Sequence, residues 1–348
     1  LFLPEYPEAA LSEGAMDLWE MCRPMIADPD LPRKIAEDRQ EDIIPCMACN
    51  LCLTRLFRDQ PITCMVRPWL GHEGEESWQI RPVAQKKKVV VIGAGPGGME
   101  AAATAAERGH DVVLFEKESR VGGQLLVSSH GPSGDEEFRR LSNYYESRCR
   151  KAGVKIRTAV AADEKAVAAE APDAVVVATG VRWEVPPIPG IDRENVVTVK
   201  ALMQGEAPAG KRVVILGGKG VGIAAAQFLL HRGGHEISIV EDQEKVGRDV
   251  NASYVWRYVK KLKEGKVRLF TSSTTKAITD AGVVVAGPDG AETVVPADTV
   301  VVATPQPETS LVAALAGRFP KVLTVGDVAR VRRVHNATMD GYKAGLEV

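Results

Sequence analysis

The chain has 348 residues, 45% of them hydrophobic and 26% charged, with a formal net charge of −2. That length accommodates two or three domains with separate cores, and the near-neutral balance offers no basic field for nucleic acid or an anionic membrane. No run of about 18 apolar residues is present to span a bilayer.

The first residues, Leu1-Phe2-Leu3-Pro4-Glu5, lack the basic flank and apolar stretch of a secretory signal. They also lack an initiator Met, as expected of a chain that begins inside a longer gene product. The opening stretch predicts a helix at Pro7 to Glu13, a strand at Met16 to Met21 and a helix at Pro32 to Asp38, too little for a domain of its own. Four of the six cysteines then fall between residues 46 and 64. Such clustering is not a disulfide framework; it points to a metal site in a reducing compartment, and so to the cytoplasm. Cys22 and Cys149 stand alone and read as small packing residues. Residues 65 to 87 form a polar connector with interspersed Trp and Pro.

Two segments then repeat one pattern. Lys88 to Glu116 reads as a β-branched strand, a glycine turn, an Ala-rich helix and a second strand, and Arg212 to Glu241 reads the same way. A continuous apolar run followed by glycines and a helix is the pattern of a buried parallel strand and its crossover. Two such starts predict two nucleotide-type α/β domains in tandem. The runs Ala174 to Gly180, Thr299 to Thr304 and Val322 to Val325 are further buried strands, the last leading into Gly326-Asp327.

Cys46-x2-Cys49-x2-Cys52 places three thiols on one tight loop, and Cys64 follows after eleven residues. A 4Fe-4S cubane needs four thiolates around a compact core, and this spacing supplies them. Structural zinc is the competing reading, but its sites usually come as two separated CxxC knuckles.

At the first turn, Gly93, Gly95 and Gly98 allow a tight turn, close approach of a pyrophosphate and helix–strand packing, while Glu116 accepts from a ribose hydroxyl. Gly123 and Gln124 follow, Thr179 and Gly180 close another strand as further cofactor-binding candidates, and Gly326 and Asp327 lie at a strand end suited to a flavin ribitol and phosphate. The expected ligand is FAD or ADP. The second turn has Gly217, Gly222 and Glu241 in the matching places, but Lys219 stands at the middle glycine. Either Lys219 turns outward and NADH binds, favoured over NADPH by the Glu241 carboxylate, or the domain keeps its fold without the ligand.

Met21 to Pro29, the segment Ile44 to Cys52, the Gly93–Gly98 turn, Ala178 to Trp183 and Val325-Gly326-Asp327 resemble the trimethylamine dehydrogenase and 2,4-dienoyl-CoA reductase family over essentially the whole chain. The resemblance implies residues 1–45 as the end of a flavin (βα)8 barrel and 46–85 as the 4Fe-4S loop and connector. It implies residues 86–196 and 296–348 as two parts of an FAD- or ADP-binding domain of the disulfide-reductase type, with 197–295 as an inserted NAD(P)-type domain. It also implies FMN in the barrel, its phosphate contacted by Arg23, with the barrel on another subunit or an N-terminal part outside this sequence. Two directions of electron flow follow from the family. A methylated amine reduces FMN and electrons leave through the cluster to an electron-transfer flavoprotein, the direction that the Cys49-x2-Cys52 spacing and Lys219 resemble. Alternatively NAD(P)H reduces FAD, and electrons reach FMN and an unsaturated substrate through the cluster. A non-catalytic docking subunit with structural ADP is the third expectation. An oligomer is expected, and neither nucleic acid nor a membrane as partner.

Overall fold

The computed structural model describes residues 4–131, 135–183 and 187–348. The chain divides into two compact units: residues 1–125, 136–180 and 308–348 form the first, and 126–135 with 181–307 the second.

Each unit is built on a five-stranded parallel sheet. In the first, the strand order is Val322–Thr324, Ala174–Val177, Lys88–Ile92, Asp111–Phe115 and Lys155–Arg157. Successive residues of a strand face opposite sides of a sheet. Val89 and Val91 therefore join the core beneath the helix Pro96–Glu107, while Val90 and Ile92 join a second core on the other face. Burial on both faces is why these strands read as unbroken apolar runs. The second unit repeats this arrangement in the order Val196–Thr198, Thr299–Val302, Arg212–Leu216, Glu236–Val240 and Arg268–Phe270. It adds an antiparallel meander of Thr274–Thr279, Gly282–Ala286 and Glu292–Val295.

The helix Val334–Glu347 crosses Pro96–Glu107 at close range. A side chain at Gly341 would overlap the Gly97 carbonyl oxygen, and one at Gly345 would lie 2.6 Å from Thr104 Cβ. Glycine inside a helix costs about 1 kcal/mol relative to alanine; here the near contact of two backbones compensates for it. This crossing fixes the helix whose N-terminus carries the first glycine turn.

Three sequence expectations change, and one helix is new. Met16 to Met21 is not a strand: no neighbour pairs with it among the described residues, and Leu18 is 87% exposed. Thr299–Val302 is not part of the first sheet. It hydrogen-bonds to Val196–Thr198 and Arg212–Leu216 in parallel register, so the second unit runs to Pro307 instead of ending at 295. The helix Val334–Glu347 was not anticipated from the sequence. Cys149 is buried in the core as expected, but Cys22 is exposed.

Candidate functional site

The four clustered cysteines converge. Cys46, Cys49, Cys52 and Cys64 line one cavity together with Arg23, Ile26, Asn50 and Thr63. Two left-handed residues, Ala48 at φ 47° and Asn50 at φ 53°, fold the loop tightly enough to turn its thiols inward. Such backbone is uncommon outside glycine and is tolerated best by asparagine. The helix Leu51–Leu56 begins at Asn50 and carries Cys52. Burial pushes the Cys46 and Cys49 thiols up and takes Cys64 to about 11. Working against burial, the Ala48 amide donates toward Cys46, the Leu51 amide toward Cys49, and the Val66 and Arg67 amides toward Cys64.

Amides directed at sulfur are the hydrogen bonds that tune iron–sulfur clusters. The donor set is four thiols and no imidazole. Among the described residues, no group of three His, Cys, Asp or Glu side chains is arranged to hold a metal ion.

The first glycine turn has the geometry of a phosphate cradle. Gly93 has φ 102°, and a side chain there would overlap the Ala178 carbonyl oxygen. A side chain at Gly98 would overlap the Gly93 carbonyl oxygen. Gly95 precedes the helix with φ −74° and ψ 177°, and a Cβ on it would meet nothing within 4 Å. The position directly above Gly95, at a helix N-terminus where the dipole favours an anion, is therefore open. Glu116 accepts from the Ala94 amide at 2.7 Å and the Glu118 amide at 2.9 Å. Each carboxylate oxygen keeps a further lone pair for a ribose hydroxyl. Gly123 packs on the turn, its Cβ position 3.0 Å from Gly95 Cα. Gln124 donates to Asp327 at 2.9 Å, joining two candidates 203 residues apart. Thr179 donates to the Glu308 carbonyl, Gly180 accepts from the Glu308 amide, and the Gly326 amide donates to Asp340.

The second turn repeats this backbone. Gly217 has φ 103°, and a side chain at Gly222 would overlap the Gly217 carbonyl oxygen. Lys219 has φ −71° and ψ −178°, the conformation of Gly95. Glu241 accepts from the Gly218 amide at 2.6 Å and the Gln243 amide at 3.0 Å. Burial, and then hydrogen bonding with Asp242, push the Glu241 carboxyl up. Gly247 donates to the Gly218 carbonyl as Gly122 does to Ala94, both at 2.8 Å. That register matches Arg248 to Gly123 and Asp249 to Gln124. Arg248 donates to the Gln243 side chain, and Asp249 accepts from the Gly220 amide at 2.8 Å. Lys219 adds to the forces holding Asp242 below the usual carboxylate range, after the hydrogen bonds from Glu241 and Gln243.

Arg23 opens the helix Arg23–Ala27 and donates to the Asn50 side chain in the cysteine loop. Trp183 packs against the core of the second unit. No helix among the described residues is long and apolar enough to cross a membrane. Asn50 and Asp249 were missed from sequence. A loop asparagine and an acid nine residues past a strand carry no signal until the chain is folded.

Residues 87–341 match the family described as pyridine nucleotide-disulphide oxidoreductase. Among solved structures, 2-naphthoyl-CoA reductase is 37% identical with a TM-score of 0.94, over 99% of this chain and 52% of its own. Histamine dehydrogenase from Rhizobium sp. 4-9 is 25% identical with a TM-score of 0.88, over 100% of this chain and 54% of its own. An NADH oxidase of Thermoanaerobacter brockii is 33% identical over 99% of this chain and 54% of its own length. The chain thus spans about half the length of the proteins it matches.

Proposed function

Because the chain belongs to the pyridine nucleotide-disulphide oxidoreductase family, we propose that it is the electron-transfer half of a larger FMN and iron–sulfur flavoprotein, drawing electrons from NADH. It is an oxidoreductase chain related both to reductases and to amine dehydrogenases. In this reading Cys46, Cys49, Cys52 and Cys64 hold a 4Fe-4S cluster. Gly93, Gly95, Gly98, Glu116, Gly123, Gln124, Thr179, Gly180, Gly326 and Asp327 hold FAD, and Gly217, Gly222 and Glu241 hold NADH. Arg23 contacts the phosphate of FMN, whose barrel lies mostly beyond this chain.

When bound, the flavin accepts an electron pair and the cluster passes electrons singly. The chain's own residues supply position and charge. Amides at the N-terminus of Pro96–Glu107 hold a pyrophosphate, and Glu116 orients the ribose. The Gln124–Asp327 pair fixes the strand end beside the turn. The cysteine loop holds its four half-buried thiols around one cavity.

One observation carries the reading: Lys219 adopts the backbone of Gly95 in a second turn that keeps Gly217, Gly222 and the Glu241 acceptor. Glu241 also favours NADH over NADPH, since a carboxylate repels a 2′-phosphate. A methylated-amine dehydrogenase feeding an electron-transfer flavoprotein is the second reading, favoured by the side chain at Lys219. Anaerobic mixing of the cofactor-loaded chain with NADH separates the two. Bleaching of flavin and cluster absorbance is expected; bleaching that needs an amine and a barrel-containing partner would overturn the NADH direction.

A further inference from the structure

We infer that Thr304 is a further binding residue of the second unit, its hydroxyl hydrogen-bonding the ribose in the nicotinamide half of NADH. The inference rests on the NADH reading above and adds a residue to it.

Sheet order gives the placement. In the second unit Arg212–Leu216 lies between Glu236–Val240 on one side and Thr299–Val302 on the other. The helix Gly220–Arg232 leads from Arg212–Leu216 to Glu236–Val240, while Thr299–Val302 returns on the opposite side. Strand order therefore reverses between Arg212–Leu216 and Thr299–Val302, and open α/β sheets bind ligands beyond the strand ends at such a switch point. In the NADH reading Glu241, at the end of Glu236–Val240, takes the adenosine ribose. A dinucleotide that starts there and crosses the Gly217–Gly222 turn sets its nicotinamide half beyond Thr299–Val302. Thr304 stands at that end.

The Ala303 amide donates to the Leu216 carbonyl at 2.9 Å, which brings Thr304 alongside the turn. A Cβ on Gly217 would lie 3.0 Å from Thr304 Cγ2. The Thr304 hydroxyl oxygen is buried, and among the described residues nothing hydrogen-bonds to it. Buried hydroxyls are ordinarily paired, so one left open at this strand end calls for a partner that binds there.

The first unit supplies the contrast. There the Ala178 amide donates to the Ile92 carbonyl at 2.8 Å, so Thr179 occupies the matching place. Its hydroxyl is already engaged by the Glu308 carbonyl at 2.8 Å. Pro305 follows Thr304 where Gly180 follows Thr179, and proline has no amide proton to offer a ligand. The open hydroxyl of Thr304 is a donor that Thr179 no longer has.

The test is calorimetric titration of the FAD-loaded chain with NAD+, which leaves the oxidised flavin unreduced, and separately with AMP, the adenosine half alone. Wild type is compared with Thr304→Val, which keeps the shape without the hydroxyl, and with Thr304→Ser, which keeps the hydroxyl. Thr304→Val is expected to bind NAD+ about fivefold more weakly, the scale of one hydrogen bond, with AMP affinity unchanged and Thr304→Ser near wild type. Because the hydroxyl is unpaired in the free chain, nucleotide-free Thr304→Val should melt no lower than wild type. Wild-type NAD+ affinity in Thr304→Val, equal weakening of NAD+ and AMP, or a lowered melting temperature would overturn the inference and leave the NADH reading standing. Wild type without saturable NAD+ or NADH binding would sink the NADH reading and this inference together.

Discussion

At Gly93–Gly98 the chain leaves the ground above its helix N-terminus bare, with Gly95 and Gly123 packed against each other. At Gly217–Gly222 the same backbone carries Lys219, and the matching residue for Gly123 is Arg248. The first helix starts with Pro96, which has no amide proton to offer, while the second starts with Gly220, whose amide is taken by Asp249 at 2.8 Å. The glycines that create the turn are thus kept in both units, and only those facing the ligand space differ. A turn is fixed by positive φ and by carbonyl overlap, and neither depends on a ligand. The floor of the first unit is left open for the pyrophosphate of the proposed flavin. The floor of the second carries charged side chains instead.

The sharpest way to break this comparison is to overfill each turn separately. Gly98→Val should destabilise the first unit by about 3 kcal/mol and empty it of flavin, read as loss of flavin absorbance after gel filtration. Gly222→Val should leave the flavin in place and remove NADH binding, read by fluorescence titration. Flavin loss from Gly222→Val would show that the units are not separable in this way. A smaller effect is expected from Glu241→Ala, which strips acceptors from two backbone amides at about 1–3 kcal/mol. NADH should bind roughly tenfold more weakly, about 1.4 kcal/mol, and unchanged affinity would remove Glu241 from the ribose site. Asp249→Asn removes a negative charge beside the helix N-terminus yet keeps an oxygen for Gly220. It should tighten NADH roughly twofold, within about 0.3–1 kcal/mol for a charge at a helix end. Lys219→Gly should change least, less than about threefold, because the lysine backbone already matches Gly95; a gain of more than about tenfold would restore the view that its side chain obstructs the pyrophosphate.

Much of this was legible in the sequence because the turns are written in residues that few alternatives can replace. Gly93 and Gly217 need positive φ, and the strands before them are buried on both faces. Less could be read where the determinants are remote. Thr299–Val302 is a β-branched run that fits either sheet, and only its hydrogen bonds to Val196–Thr198 and Arg212–Leu216 assign it. The helix Val334–Glu347 contains Gly341 and Gly345, which lower helix propensity locally and make sense only against Gly97 and Thr104. Gln124 and Asp327 were each legible as candidates, their pairing across 203 residues was not. The four cysteines could be recognised by spacing alone, but the amides of Val66 and Arg67 aimed at Cys64 required the fold.

Equilibrium binding of NADH to the FAD-loaded chain tests most directly whether the second turn is a working counterpart of the first. One saturable site per chain, lost in Gly222→Val and kept in Lys219→Gly, is the predicted result. Absence of saturable binding in the wild type, or binding untouched by Gly222→Val, would contradict it.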